Sequence, residues 1–316
     1  MVDPASASSP DRCASCGGEG VFLVVREGRT VAEACPHTDG CPACGGDGRI
    51  FAIDERGYST MRPCACGRDP RRIATLAALR LPSKFADRTL ANYGCYSPQQ
   101  ARGLLRARRF VDEYVPGASI RALLLCGPPG TGKTHLLCAM LRELALRKGV
   151  RGRYEEFFLL LSDIRDGFSR GLSSREWLEP LRKVEVLAID EIGKGGKNRE
   201  FEQSVLDEIL SVRYNAERPT LLATNYPRPG APWTYGAEGD IRETLEQRVG
   251  ARIYSRLLDL CDTVDVVGPD NREKQHEVRE ILHEKEHPDD RQASGGRNDS
   301  QRASEAAPHR PRPGRG

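Results

Sequence analysis

Three short apolar runs stand out in the middle of the chain: Leu123-Leu-Leu-Cys126, Val186-Leu-Ala-Ile-Asp190 and Pro219-Thr-Leu-Leu-Ala-Thr-Asn225. Continuous runs of this length, bounded by polar or turn residues, predict strands buried on both faces of a parallel sheet. Longer mixed patterns between and after them predict helices over 135–148, 200–217 and 240–258. Strands alternating with helices predict a doubly wound α/β domain. Toward the N-terminus, Val21-Phe-Leu-Val-Val25 and Arg49-Ile-Phe-Ala-Ile53 read as short strands, with Glu27-Gly28 and Arg56-Gly57 near their turns. Residues 68–80 are basic with a helical Ile-Ala-x-Leu-Ala-x-Leu stripe, suited to a hinge or docking helix. From about residue 288 onward Gly, Pro, Ser, Arg and Asp dominate without apolar periodicity, which predicts disorder. The expected organisation is a disordered 1–11, a small module over 12–68, a linker over 69–100, the α/β domain over 101–284 and a disordered 285–316.

Composition narrows the setting. The 316 residues are 38% hydrophobic and 29% charged, and a net charge of +3 leaves any nucleic-acid affinity to local patches. No apolar run approaches the ~20 residues that cross a bilayer, so no membrane partner is expected. The first ten residues are polar and carry no secretory core. The expected compartment is the cytoplasm, where eleven cysteines point to metal before disulfides.

Seven of those cysteines lie before residue 70, in a pattern that repeats. Cys13-Ala-Ser-Cys16-Gly-Gly-Glu-Gly20 aligns with Cys41-Pro-Ala-Cys44-Gly-Gly-Asp-Gly48, and each is followed by a second pair, Cys35-Pro-His37 or Cys64-Ala-Cys66. Each copy thus supplies four soft or borderline ligands, enough to close a tetrahedral Zn²⁺ site with no position left for a catalytic water. The expectation is two structural zinc ribbons: Cys13, Cys16, Cys35 and His37 on one ion, and Cys41, Cys44, Cys64 and Cys66 on the other. Interleaved ligation, as in chaperone cysteine-rich domains, is the alternative, and iron is an alternative metal for the four-thiolate copy. A segment this short with few large side chains depends on metal for its folding.

The first strand of the α/β domain runs directly into Gly127-Pro128-Pro129-Gly130-Thr131-Gly132-Lys133-Thr134, followed by His135 and an apolar helix. GxxxxGK[ST] between a strand and a helix is a phosphate-binding loop, whose glycines let backbone N–H groups turn inward on an anion. Lys133 would reach the β- and γ-phosphates of ATP, and the Thr134 hydroxyl would hold Mg²⁺. Asp190 would complete the Mg²⁺ shell, with Glu191 beside it to orient or deprotonate water. An amide at Asn225 can bond the γ-phosphate or the attacking water.

GPPGTGKTHL, LAIDEIG, RPTLLATN and RVGARIYSRL, in this order over about 81–272, resemble the AAA+ ATPases of the DnaC/IstB type. These are bacterial helicase loaders and transposition helpers. The resemblance implies a polar sensor at Asn225, an arginine finger at Arg256 reaching a neighbouring subunit, with Arg252 as its companion, and a second sensor at Arg272. It also implies single-stranded DNA contacts at Arg165 and Phe168; the alternative there is a surface arginine and a core-capping ring. On this reading ATP hydrolysis, self-association through the ATP interface and loading of a replicative DNA helicase go together. The alternatives are a transposition helper acting on target DNA, or a zinc-dependent adaptor using slow hydrolysis as a switch. The double zinc ribbon stands where the best-known loaders carry a helical N-terminal region.

Overall fold

The computed structural model describes residues 13, 15–27, 29–196, 198–233 and 243–272. The segments 1–11 and 285–316, expected to be disordered, lie outside them. Met1–Asp270 forms one unit and Asn271–Gly316 a second, of which only Asn271 and Arg272, both helical, are described.

Two antiparallel hairpins come first. Strands β1 (Val21–Arg26) and β2 (Arg29–Ala34) pair with Val21 opposite Ala34. Strands β3 (Arg49–Ile53) and β4 (Ser59–Pro63) pair with Arg49 opposite Pro63. Helix α1 (Pro70–Ala78) starts on Asp69, whose side chain accepts from the Arg71 N–H, with Pro70 at the first helical position. Helix α2 (Pro98–Glu113) starts in the same way on Ser97. The stretch that reads as a linker, 69–100, contributes Leu76, Leu79, Leu81, Leu90 and Tyr93 to the same core as the sheet.

The α/β layer follows: β5 (Ala122–Cys126), α3 (Lys133–Lys148), β6 (Gly152–Glu156), α4 (Phe157–Ser169), α5 (Ser174–Lys183), β7 (Val186–Asp190), α6 (Arg199–Asn215), β8 (Thr220–Thr224), α7 (Leu245–Val249), α8 (Ala251–Leu260) and β9 (Cys261–Asp265). The five strands are all parallel, in the order β6-β7-β8-β5-β9. This is the P-loop AAA+ doubly wound sheet expected from the sequence. Every residue of β5, β7 and β8 is buried, as strands covered by helices on both faces require. Arg213 of α6, wholly buried, donates to the carbonyls of Leu181, Val184, Glu185 and Pro219 and to Thr220 Oγ1, tying the end of α5 to the start of β8. With no carboxylate among these partners, burial lowers its pKa to about 9.

One element differs from expectation. Of the helix expected over 240–258, residues 240–242 lie outside the described residues, and over the rest α7 and α8 stand instead, broken at Gly250, whose φ of 87° and ψ of 148° lie far from helical values. A glycine adopts that backbone without the clash a β-carbon brings.

Candidate nucleotide and metal sites

In a doubly wound sheet, ligands bind beyond the carboxyl ends of the strands, where the strand order reverses. Here β8 separates β5 from β7, so the loop after β5 faces the acidic end of β7. The Gly127 N–H donates to Thr224 O at 3.2 Å, fastening the loop to β8. Gly130 and Gly132 have φ of 77° and 96°, which opens the turn, and a β-carbon at Gly130 would collide with the Asp270 carboxylate. From below, Gln100 Nε2 donates to Thr131 O at 3.3 Å and the Tyr93 hydroxyl to the same oxygen at 3.0 Å. These supports join residues far apart in sequence.

Lys133 is buried and its ammonium folds onto the loop, donating to Gly127 O at 2.8 Å and Pro128 O at 2.7 Å. Pro128 and Pro129 have no N–H to offer an anion; their place is to shape the turn. The His135 ring does not face the loop. Its Nε2 lies 2.8 Å from Thr89 O and its edge meets Tyr93, so only its backbone is available to a phosphate.

Thr134 Oγ1 donates to Asp190 Oδ2 at 2.5 Å, and Tyr154 of β6 donates to the same oxygen at 3.0 Å. The Glu191 N–H donates to Asp190 Oδ1 at 2.8 Å. Burial raises the Asp190 pKa, with the Thr134 hydrogen bond working against it. A hydroxyl and a carboxylate this close form an oxygen donor pair of the kind Mg²⁺ takes, so these two residues fit the expected ion. Tyr154 and Glu156 were not legible as site residues. Strand β6 carries Arg153, Glu155 and Glu156, and such a polar sequence does not read as a sheet strand. Beside Asp190, Lys194 pairs with Glu191 and lies 3.7 Å from Glu156. Burial and the nearby Glu191 charge raise the Glu156 pKa. Asn225 is half-buried just past the end of β8, next to Thr224.

Other candidates lie outside this cluster. Arg256 is tied within its own chain, donating to Asp207 Oδ1 at 2.5 Å and Ser211 Oγ at 2.6 Å. Arg252 makes a looser 3.3 Å pair with Asp207 and is 78% exposed. Arg165 and Phe168 lie three residues apart on α4, both exposed, and the Arg165 guanidinium sits 5.0 Å over the Phe201 ring. Arg272 belongs to the second unit.

The cysteines gather as two sets. Ligand atoms of Cys13, Cys16, Cys35 and His37 lie within 4.8 Å of one another, as do those of Cys41, Cys44, Cys64 and Cys66. The grouping is sequential, not interleaved. Cys13–Cys35 sulfurs are 3.6 Å apart, and Cys41–Cys64 and Cys44–Cys66 are 3.7 Å apart. A disulfide has its sulfurs at ~2.05 Å, whereas a tetrahedral Zn²⁺ with ~2.3 Å bonds holds them about 3.8 Å apart. The donor sets and spacing fit two such ions. The copies match bond for bond: the Gly17 N–H donates to Cys13 O and Gly45 to Cys41 O, both at 2.7 Å, while Gly20 and Gly48 donate to the sulfurs of Cys16 and Cys44. Gly20 also lies so close to Gly67 that a β-carbon there would overlap its backbone.

Residues 65–278 match the family described as IstB-like ATP binding protein. The chain belongs to that family. It is 33% identical over 135 residues to the replicative helicase loader DnaC of Escherichia coli strain K12, a match covering 42% of this chain and 54% of that one. An uncharacterized Bacillus subtilis protein, YqaM, is 28% identical over 169 residues, covering 52% and 48%. The chain therefore spans about half the length of these curated relatives. Among solved structures, that of the DnaC helicase loader is 25% identical with a TM-score of 0.49, covering 58% of this chain and 98% of that one. Among the described residues, no helix is long and apolar enough to cross a membrane.

Proposed function

We propose that this family member is an ATP-dependent, DnaC-like helicase loader, with Lys133, Thr134, Asp190, Glu191, Asn225 and Arg256 as its ATPase site. The observation that carries the reading is the Thr134–Asp190–Glu191 junction, where the first turn of α3 meets the end of β7 around one buried carboxylate. Mg²⁺ held by Thr134 and Asp190 would neutralise phosphate charge. Glu191 accepts the proton of the water that attacks the γ-phosphorus, the bond to the β–γ bridging oxygen breaks, and ADP and phosphate leave. Asn225 orients that water. Arg256, supplied by a neighbouring subunit, stabilises the transition state, so hydrolysis depends on assembly. Arg165 and Phe168 contact single-stranded DNA, one neutralising phosphate and the other stacking on a base. Two Zn²⁺ ions hold the N-terminal module, which grips the replicative helicase.

The test is light scattering after size-exclusion chromatography of the protein mixed with its host's replicative helicase, with ADP or a non-hydrolysable ATP analogue and with or without single-stranded DNA. A nucleotide-sensitive complex is expected. Lys133→Ala should abolish nucleotide binding and the complex's nucleotide response, and Glu191→Gln should trap the ATP-bound assembly. The DnaC/IstB-type resemblance carries a second reading, a transposition helper acting on target DNA. Duplex preference together with no helicase complex in any nucleotide state selects it.

A further inference from the structure

Arg248 opens the segment RVGARIYSRL, and, unlike that of Arg252, its side chain is only 12% exposed. It sits in the last turn of α7 and reaches three elements at once. Nε donates to Gly193 O at 2.5 Å, in the turn beyond β7, and Nη2 donates to Glu202 Oε2 at 2.8 Å, in the first turn of α6. Its guanidinium lies 5.9 Å over the ring of Tyr226, the residue after Asn225. These groups meet at Gly193, where a β-carbon would come within 2.9 Å of the Tyr226 ring and 3.1 Å of Arg248 Cγ.

Asn225 lies inside this lacing. Just before it, Thr224 Oγ1 donates to Ile192 O at 2.8 Å and accepts from the Tyr226 N–H at 3.1 Å. Just beyond it, Pro227 O accepts from the Leu245 N–H at 2.7 Å, so the start of α7 is bonded to the same turn that its last residues reach.

Stability alone does not account for the Glu202–Arg248 pair. Among the described residues no other ion pair is as buried on both sides, at 5% and 12% exposure. Glu202 Oε1 is buried and has no hydrogen-bond partner among them. Well-packed apolar side chains of similar volume would avoid that desolvation cost. What the guanidinium adds is direction, because its rigid fork holds a carbonyl and a carboxylate in one fixed geometry.

We propose that Arg248 is a positioning residue for ATP hydrolysis, clamping Gly193, Tyr226 and Glu202 together and so setting the place of Asn225 relative to the end of β7. The proposal rests on Asn225 being the group that orients the attacking water. Such a group must be held closely, since a misplacement of ~1 Å costs about 10²-fold in rate. The phosphate loop takes its support from Gln100 and Tyr93 instead, so nucleotide affinity should survive loss of the clamp.

The test compares the full native chain with Arg248→Lys, Arg248→Met, the double variant Glu202→Leu/Arg248→Met, and Asn225→Ala, reading Tm, the Kd for ATP, and steady-state kcat and KM. Arg248→Met alone leaves Glu202 buried and unpaired, which lowers Tm; the double variant removes both charges and should melt close to the native protein. That double variant should keep the native Kd and KM and lose about 10- to 100-fold in kcat. Arg248→Lys keeps the charge without the fork and should fall between the two. Adding Asn225→Ala to the double variant should cost less than the same change in the native protein, because both act through one group. Native kcat in a double variant that melts normally overturns the clamp, as does a loss confined to KM or Kd, or full additivity with Asn225→Ala. A double variant that melts as low as Arg248→Met makes the pair a structural one and overturns it too. In each of these cases an inactive Asn225→Ala leaves the catalytic reading standing. Native turnover by Asn225→Ala sinks the assignment of Asn225 itself, and the clamp with it.

Discussion

At Asp190, stability and chemistry pull in opposite directions. The carboxylate is fully inside the protein, and its hydrogen bonds from Thr134, Tyr154 and the Glu191 N–H only partly offset the loss of water. Folding raises its pKa, so the ionised group costs stability at neutral pH. That cost disappears as pH falls below the group's unfolded value, because both states are then protonated. Asp190→Asn removes the charge while keeping the shape. It should raise the Tm of the nucleotide-free protein at neutral pH, with a gain that shrinks toward acid pH, while abolishing Mg²⁺-dependent turnover. Calorimetry across pH beside a turnover assay checks both halves, and an unchanged or lowered Tm at neutral pH would contradict the account. The acid could be read from sequence because it ends a strongly apolar strand, and Thr134 because it closes the phosphate-loop pattern between β5 and α3. Tyr154 could not: its role depends on β6 lying beside β7, a pairing no local pattern encodes.

At the scale of elements, the two cysteine-rich copies are alike inside and unlike outside. Val21 and Ala32 of the first hairpin are buried in the same core as the sheet, and Arg72 of α1 joins Glu19 to Leu146 O at the end of α3. The second hairpin leaves Phe51 80% and Ile53 75% exposed. Metal loss should therefore have unequal consequences. Cys35→Ser should release one ion and lower the melting temperature of the α/β domain with it, through the lost packing of Val21 and Ala32. Cys64→Ser should release the other ion and leave that transition in place. Metal analysis combined with thermal melts distinguishes the two, and equal destabilisation would refute the asymmetry. The ligand sets were legible because Cys and His spacing is a local code. Which copy docks was not, since both hairpins have similar strand sequences.

Assembly is the question at the scale of the whole molecule. Arg256 pairs with Asp207 and Ser211 in its own chain, so its proposed reach to a neighbour's nucleotide requires exchanging those partners. Arg256→Ala should bind ATP normally and lose turnover on the order of 10³-fold. Lys133→Ala lacks a working site but retains the arginine. Mixing the two inactive variants should restore part of the activity, because mixed interfaces then pair an intact site with an intact finger. Mixtures that stay inactive while assembling normally would place Arg256 outside a shared site. The edge strand β9 shows why the reach of sequence reading ends at such interfaces. Its Asp262 and Asp265 are paired with Arg106, Arg121 and Arg228 from distant segments, so a charged strand is accommodated that no apolar pattern announces.

The sequence by itself determined the phosphate loop, the acidic strand end, the two ligand sets and the α/β class, because each rests on spacing within a few residues or on one element's periodicity. Tertiary structure alone decided the strand order, the break at Gly250, the docking of one cysteine-rich copy and the pairing of Lys194 with Glu191 and Glu156. Those features are set by which elements pack together, and the energy of a contact between distant residues leaves no local trace in the chain.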